Sequence, residues 1–402
     1  MPYWLYLLLT VPTISAFIGW LTNWQAVKMI FWPAERVGVG PIGWQGIIFH
    51  HSDKFATNLG RIAKDDLLSS QDLVARADLD QLDPLVAPVV EAEVPTIVAE
   101  VADAVMAGAW DKVPPPMQAM VVAQVKERSR VIAREVIADV QTTAVELLDL
   151  QELVRHQLTG ANVRRLARLT QQIGKSEFRF IEWSGAVFGA IIGLGQIAIW
   201  EAFQHWWVMP IFGVIVGLIT NWLAIQMIFR PLEPRRYLGV FRYQGVFPKR
   251  QPQIAADYGE STAAEVITPR TVIDFLTTGA RGERLRAVIT ASIERHLDAE
   301  WARVKGLVPV PVGDDVRAQV KAQTVARVFA LAPLVRPQVE AYLGHALDIR
   351  KTVEDKLASL PKPEFERMLR GVFQEDELTL IVVGGVLGGA VGVLQAMAVL
   401  AF

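Results

Sequence analysis

Gly19-Trp-Leu-Thr-Asn-Trp-Gln-Ala-Val-Lys-Met-Ile-Phe-Trp-Pro33 returns as Gly217-Leu-Ile-Thr-Asn-Trp-Leu-Ala-Ile-Gln-Met-Ile-Phe-Arg-Pro231, 198 positions later (217 minus 19). Each stretch is a largely apolar run sharing one asparagine, Asn23 or Asn221, and closed by a proline. Such a run reads as the end of a membrane-crossing helix, since about 20 apolar residues are needed to cross roughly 30 Å of hydrocarbon. The match extends outward. At a spacing of 199, Trp44-Gln-Gly46 corresponds to Tyr243-Gln-Gly245, Asp149 to Asp348, Gly185-Ala-Val-Phe-Gly189 to Gly384-Gly-Val-Leu-Gly388, and Gln196 to Gln395. Ala123-Gln-Val-Lys126 corresponds to Ala318-Gln-Val-Lys321 at a spacing of 195. Both follow a tryptophan and a proline cluster, Trp110 with Pro114 to Pro116 and Trp301 with Pro309 and Pro311. The chain reads as one unit written twice.

The composition fits that reading. The 402 residues are 52% hydrophobic and 20% charged, with a mean hydropathy of +0.29. These values exclude a disordered chain and argue against an ordinary soluble enzyme. With 40 Lys+Arg against 42 Asp+Glu the formal charge is -2, which leaves no general basic surface for nucleic acid. Cysteine is absent, which removes disulfides, thiolate nucleophiles and cysteine-based metal sites.

Four stretches are long and apolar enough to cross a bilayer: 3–31, 183–200, 207–229 and 378–401. The first has no basic residue before it and no small-residue cleavage site after it, so it reads as a retained span and not a secretory signal. Unit 1 (1–200) is then span 3–31, arm 50–180 and span 183–200; unit 2 (207–402) is span 207–229, arm 249–376 and span 378–401. Only Glu201 to Trp206 separates the two middle spans, so both arms fall on one side and the repeat is parallel, unlike the inverted repeats of many carriers. Arg36, Arg164, Arg165, Arg168, Lys175, Arg179, Arg230, Arg235, Arg236, Lys249, Arg250, Arg367 and Arg370 lie at that side's membrane edge. The positive-inside rule therefore places the arms in the cytoplasm and both termini outside.

The arms read as amphipathic helices. Val90, Val94, Ile97, Val101 and Val105 recur at helical spacing, as do Val121, Val125, Ile132, Val136 and Val140. Pro88 and Pro95 are expected to bound or kink the first run, and Pro333 and Pro337 to punctuate the second arm. The arms should lie side by side as a helical bundle or stalk, and no strand pattern is visible. Residues 65–103 hold ten acidic groups against Arg76 alone, which reads as a solvated acidic face. The expected fold class is an all-α integral membrane protein, internally duplicated, with four transmembrane helices and two extramembrane helical arms.

Polar groups inside the spans are the candidate site. An unsatisfied amide in hydrocarbon costs several kcal/mol, so the Thr22-Asn23 and Thr220-Asn221 pairs need partners. Depth along the helices puts Asn23 level with Ile191, within the glycine stripe Gly185, Gly189, Gly193, whose counterpart is Gly384, Gly388, Gly392 (or Gly385 and Gly389). Such stripes allow close helix approach, and the asparagines are expected to bond exposed backbone across them. Gln196 and Gln395 are expected to bond each other. Lys28, near its span's end, can snorkel. No Asp, Glu or Arg joins these groups in the inner parts of the spans, which disfavours a driven ion transporter.

Beyond the spans, Gly46 and Gly245 are expected to permit a turn, and Arg230, Arg235, Arg236, Lys249 and Arg250 to meet lipid headgroup phosphates. His50-His51 does not read as a metal site, because adjacent residues diverge on a helix and no such pair recurs. Phosphate-loop, nucleophile-elbow and zinc-protease motifs are missing, so no catalytic residue, cofactor or metal is expected.

The Gly-x-x-Thr-Asn-Trp-x-Ala-x-x-Met-x-Phe-x-Pro run, followed by Gln-Gly-Val-Phe-Pro-Lys-Arg ending at Arg250, resembles the bacterial membrane-protein family catalogued as domain of unknown function 445, or YheB-like. The second stretch carries the pattern most fully. The first departs from it, with Trp32 for Arg230 and Phe49-His50-His51 for Pro248-Lys249-Arg250. The resemblance implies a bacterial inner-membrane protein with helical domains and brings no reaction or substrate. The expected function is a scaffold or envelope-organising element. It would act through contacts of the arms with a protein partner or with membrane lipids, without nucleic acid and with an oligomer left open. The alternative is a transporter or lipid-handling protein with a polar path or acyl groove between the units.

Overall fold

The structure, a computed structural model, describes residues 3–38, 43–105, 107–237, 239–304, 313–373 and 377–400. Its contacts divide the chain into two compact units. The first comprises Met1–Leu67, Val154–Val266 and Arg350–Phe402; the second comprises Leu68–Leu153 and Ile267–Ile349.

In chain order the helices are α1 (Tyr3–Phe31), α2 (Ile47–His50), α3 (Ser52–Ile62), α4 (Ser70–Ala75), α5 (Leu79–Val105) and α6 (Pro115–Leu147). Next come α7 (Leu150–Leu158), α8 (Val163–Ile173), α9 (Lys175–Phe203) and α10 (Val208–Phe229). A hairpin of β1 (Arg235–Tyr237) and β2 (Phe241–Tyr243) precedes α11 (Val246–Ser261) and α12 (Pro269–Thr277). The chain continues through α13 (Gly279–Val304), α14 (Asp314–Ala346), α15 (Ile349–Ser359), α16 (Lys362–Phe373) and α17 (Glu377–Leu400). Single π turns at Ala63–Leu67 and Thr262–Val266 end α3 and α11 at corresponding positions.

The first unit is built on α1, α9, α10 and α17, four helices long and apolar enough to cross a membrane. Helix α1 packs along α9 and α10 along α17, while α1 and α10 also touch each other and one another's partners. The asparagine-bearing helices α1 and α10 therefore lie at the centre. Outward faces are apolar: Phe17, Trp183, Ile191, Leu194, Trp222, Val386 and Met397 are all exposed. An apolar surface of that extent is what lipid contact requires, and the protein is a helical membrane protein. At one end Leu7, Val11, Trp200, Val208, Met209 and Ala396 close the core. At the other, Phe365, Phe247 and Ile254 pack against Ile228 and Phe229, joining α11 and α16 to the end of α10.

The second unit is a four-helix bundle in which α5 packs on α6, α6 on α13, α13 on α14, and α14 back on α5. Helix α5 runs unbroken through Pro84, Pro88 and Pro95, and α14 through Pro333 and Pro337, where boundaries or kinks were expected for Pro88 and Pro95. Packing along the whole length offsets the hydrogen bonds that each proline forgoes. Pro114 instead caps α6, and the Pro309 and Pro311 cluster lies outside the described residues. The acidic face of α5 is not simply solvated: Asp80, Glu91 and Glu100 pair with Arg134, Arg130 and Arg327. The β1–β2 hairpin was not expected, because three-residue strands are too short to show an alternating pattern.

Between α6 and α13, the Asp139 carboxylate accepts from the Ser292 hydroxyl at 2.6 Å and the Arg295 guanidinium at 2.6 Å. The Ser292 bond first, and Arg295 after it, hold the carboxyl below its ordinary 3.8 against the opposing effect of burial. A depressed folded-state pKa means stability that is present above about pH 4 and is lost as pH falls through the lowered value. Asp139→Asn should therefore flatten the acid limb of the full chain's thermal stability, followed by circular dichroism below about pH 4. An acid limb unchanged in the variant would remove Asp139 from the account.

Candidate functional site

Successive contacts of α1 and α9 run in opposite directions. A Cβ placed on Gly185 would collide with the Gly19 carbonyl, one on Gly189 with the Ser15 carbonyl, and one on Gly193 would lie 2.8 Å from the Pro12 Cα. The two backbones touch, as small residues at a helix contact allow. Helices α10 and α17 repeat this with Gly384 against Gly217, Gly388 against Gly213, and Gly392, whose Cβ would lie 2.6 Å from the Met209 carbonyl. Of the alternatives in the second stripe, Gly385 and Gly389 face the side chains of Leu218 and Val214 instead.

One turn beyond Gly19, Asn23 Nδ2 donates to the Ile181 carbonyl at 2.6 Å; one turn beyond Gly217, Asn221 Nδ2 donates to the Leu380 carbonyl at 2.7 Å. The acceptor is backbone, as expected, but lies ten residues from Ile191 (191 minus 181). The reason is register: α9 begins at Lys175, and the Gly19–Gly185 contact slides Asn23 toward its start. Thr22 donates to the Gly19 carbonyl at 3.2 Å, while Thr220 Oγ1 and both asparagine Oδ1 atoms are buried without partners among the described residues.

Gln196 and Gln395 do not bond each other. Gln196 accepts from Ser15 at 3.1 Å and donates to the Met209 sulfur at 2.8 Å, partners on the central helices α1 and α10. At a spacing of 198, the residues corresponding to Ser15 and Met209 are Gly213 and Val11, which offer no polar side chain. Gln395, 3% exposed, is accordingly left with both amide atoms unpartnered among the described residues.

The rest of the motif builds a clamp at the helix ends. Gly46 and Gly245 donate their backbone N–H to the carbonyls of Pro33 and Pro231 at 2.8 and 2.9 Å. Gln45 and Gln244 donate their side-chain amides to the Ala34 and Leu232 carbonyls at 2.9 and 2.8 Å. The glycines have φ of -54° and -52°, which any residue adopts. Glycine is required for space instead: a Cβ would lie 2.9 Å from the Trp32 nitrogen or 2.8 Å from that of Arg230. No spacing rule in the sequence separates these two uses of glycine.

The five predicted headgroup cations divide. Arg250 pairs with Glu177, whose carboxylate is fully buried, and Arg230 donates to the buried Glu366 at 3.1 Å. Arg370 joins this belt, 3.6 Å from Glu366 and 3.4 Å from Glu377. These arginines hold α9, α10, α11, α16 and α17 together, leaving Arg235, Arg236 and Lys249 exposed. Arg242, which the sequence reading passed over, is exposed as well and pairs with Arg236 across the hairpin register. Lys28 sits over the rings of Trp24 and Trp32, at 4.8 and 5.3 Å, a cation–π cradle in which Trp32 stands where the second stretch has Arg230.

Curated relatives of this chain are named UPF0754 membrane proteins. One from Exiguobacterium sibiricum is 41% identical over 64 residues, 15% of this chain and 17% of the relative. One from a Synechococcus strain is 29% identical over 130 residues, 32% of this chain and 30% of the relative. One from Bacillus pumilus is 26% identical over 177 residues, 42% of this chain and 46% of the relative. The matches thus span less than half the length of these relatives. No family model and no solved structure matches the chain.

Two measurements test this site. Gly189→Val forces α1 from α9 and should cost about 1–3 kcal/mol of stability. Gly195→Val, where nothing lies within 4 Å, should be neutral in the same detergent melt; equal effects would refute the contact. Arg250→Gln strands the buried Glu177 and should cost about 3–5 kcal/mol, which adding Glu177→Gln should largely restore. A double variant no better than the single would deny the ion pair its role.

Proposed function

We propose that the chain is a multi-pass scaffold of a bacterial inner membrane, in which α1, α9, α10 and α17 cross the bilayer and the bundle of α5, α6, α13 and α14 meets a protein partner. The reading has the bundle in the cytoplasm, both termini outside, and no enzymatic step. It also takes the chain as a duplicated unit, related to the family of domain 445.

The observation that carries the scaffold reading is the bundle itself. Its helices of 27, 33, 26 and 33 residues are drawn from two segments far apart in sequence. At about 1.5 Å per residue they form rods of roughly 40–50 Å, long enough to hold a partner well clear of a point of attachment. Met117, Met120, Val131 and Leu334 are exposed on these rods, and methionines suit adaptable protein contacts. The parallel geometry at Asn23 and Asn221, the two π turns and the two glycine clamps support the duplication.

A second reading, transport or lipid handling along a polar path, is favoured by the buried polar atoms left without partners among the described residues, Gln395 foremost, with Thr220 and the Oδ1 atoms of Asn23 and Asn221. The absence of cysteine lets both readings be tested with single-cysteine chains. A photo-crosslinker at Met120→Cys in cells should give one discrete adduct that Met117→Glu abolishes. Reconstituted protein should show no solute or lipid flux that depends on Gln395. Flux lost in a folded Gln395→Leu variant, with no adduct at Met120→Cys, would replace the scaffold by a transporter. Reporter fusions within the loop near Pro115 and at residue 402 test orientation, and an outside signal at Pro115 would reverse it.

A further inference from the structure

The β1–β2 hairpin begins six residues after α10 ends, 235 against 229. Three bonds fix it there. Tyr243 Oη donates to the Met227 carbonyl in the last turn of α10 at 2.6 Å, and Gln244 and Gly245 close the loop onto Leu232 and Pro231. Burial pushes the Tyr243 phenol up to about 12, so it stays a donor throughout the physiological range. Helix α10 has 22 residues, about 33 Å of rise, which matches a hydrocarbon layer of roughly 30 Å. A hairpin held at its end stands at headgroup level.

The register of the hairpin pairs Arg235 with Tyr243, Arg236 with Arg242, and Tyr237 with Phe241. Directly opposed residues share a face, with Cβ atoms about 5 Å apart. Tyr243 is the member of its face that reaches back to α10, so Arg236 and Arg242 stand together on the other face. Like charges in that position destabilise a strand pair. Both are exposed, and no acidic side chain among the described residues pairs with Arg235, Arg236 or Arg242. The turn holds Gly239 at φ +75° and Val240 at 88% exposure, an exposed apolar tip. At the positions of Arg235 and Arg236, 198 residues earlier, stand Val37 and Gly38, so this charge belongs to the second stretch alone.

We propose that the 235–243 hairpin is a docking site for an anionic phospholipid, with Arg236 and Arg242 gripping the headgroup phosphate and Val240 entering the acyl boundary. An anion between the two guanidiniums removes the repulsion that the strand register imposes, and arginine's planar fork suits a phosphodiester. The apolar tip favours a lipid over a free phosphate, because only a lipid supplies hydrocarbon beside the charge. The proposal rests on α10 crossing the bilayer and is independent of any protein partner.

The test uses the full chain in vesicles, with an environment-sensitive fluorophore at Val240→Cys or, separately, at Trp222→Cys within α10. Spin-labelled phosphatidylglycerol should quench the Val240 probe in preference to spin-labelled phosphatidylcholine, by about fivefold for each arginine that meets a headgroup. Arg236→Gln with Arg242→Gln should erase the preference, and lysine at both positions should keep part of it. Quenching at Trp222 by both lipids reports insertion of α10 in every variant. Quenching at Trp222 without a lipid preference at Val240 overturns the docking site and spares the membrane reading; no quenching at either overturns both. A preference that millimolar inorganic phosphate removes from wild-type protein would make the ligand free phosphate and defeat the lipid proposal.

Discussion

Contact between helix backbones at Gly19 with Gly185, and at Gly217 with Gly384, is the constraint on which the first unit depends. Removing the Cβ atoms lets two helices approach until a carbonyl of one lies against the Cα of the other. At that separation a short side chain can cross the interface, and Asn23 and Asn221 each reach a carbonyl of the partner helix one turn away. A larger residue in the stripe would separate the helices and withdraw that acceptor. The motif's glycine and asparagine thus act together, and the amide is affordable among apolar helices because its acceptor is brought to it.

From this contact the rest of the unit follows by position. The central helices α1 and α10 carry the asparagines, and α9 and α17 flank them. Corresponding positions then meet different neighbours. Gln196 finds Ser15 and Met209, whereas the counterparts of those two residues, Gly213 and Val11, offer no polar side chain, and Gln395 has no partner among the described residues. At the other end of the helices, Arg250, Arg230 and Arg370 are drawn into ion pairs with buried acids. The first stretch meets the same boundary with Lys28 over two tryptophan rings.

The bundle obeys different physics. Its helices carry three prolines in α5 and two in α14, yet remain continuous because packing on two neighbours at once outweighs the missing hydrogen bonds. Its charges are distributed across partners. The acids of α5 meet arginines from α6 and α14, and the Asp139 carboxylate meets Ser292 and Arg295 of α13. Proline and acidic runs, read locally, suggested breaks and a bare acidic face.

What the sequence determined by itself was set by local pattern: four apolar helices, amphipathic helices between them, the glycine stripes, and the need of Asn23 and Asn221 for backbone acceptors. These are legible because hydrophobic period, span length and the cost of an unpaired amide act within one segment. Only the tertiary structure decided that Asn23 meets Ile181, that Gln196 and Gln395 stay apart, that Arg250 serves Glu177, and that Arg236 stands beside Arg242. Each of these depends on which helix lies next to which and in what register. Register is fixed by contacts summed over whole helices, so no single stretch of residues encodes it.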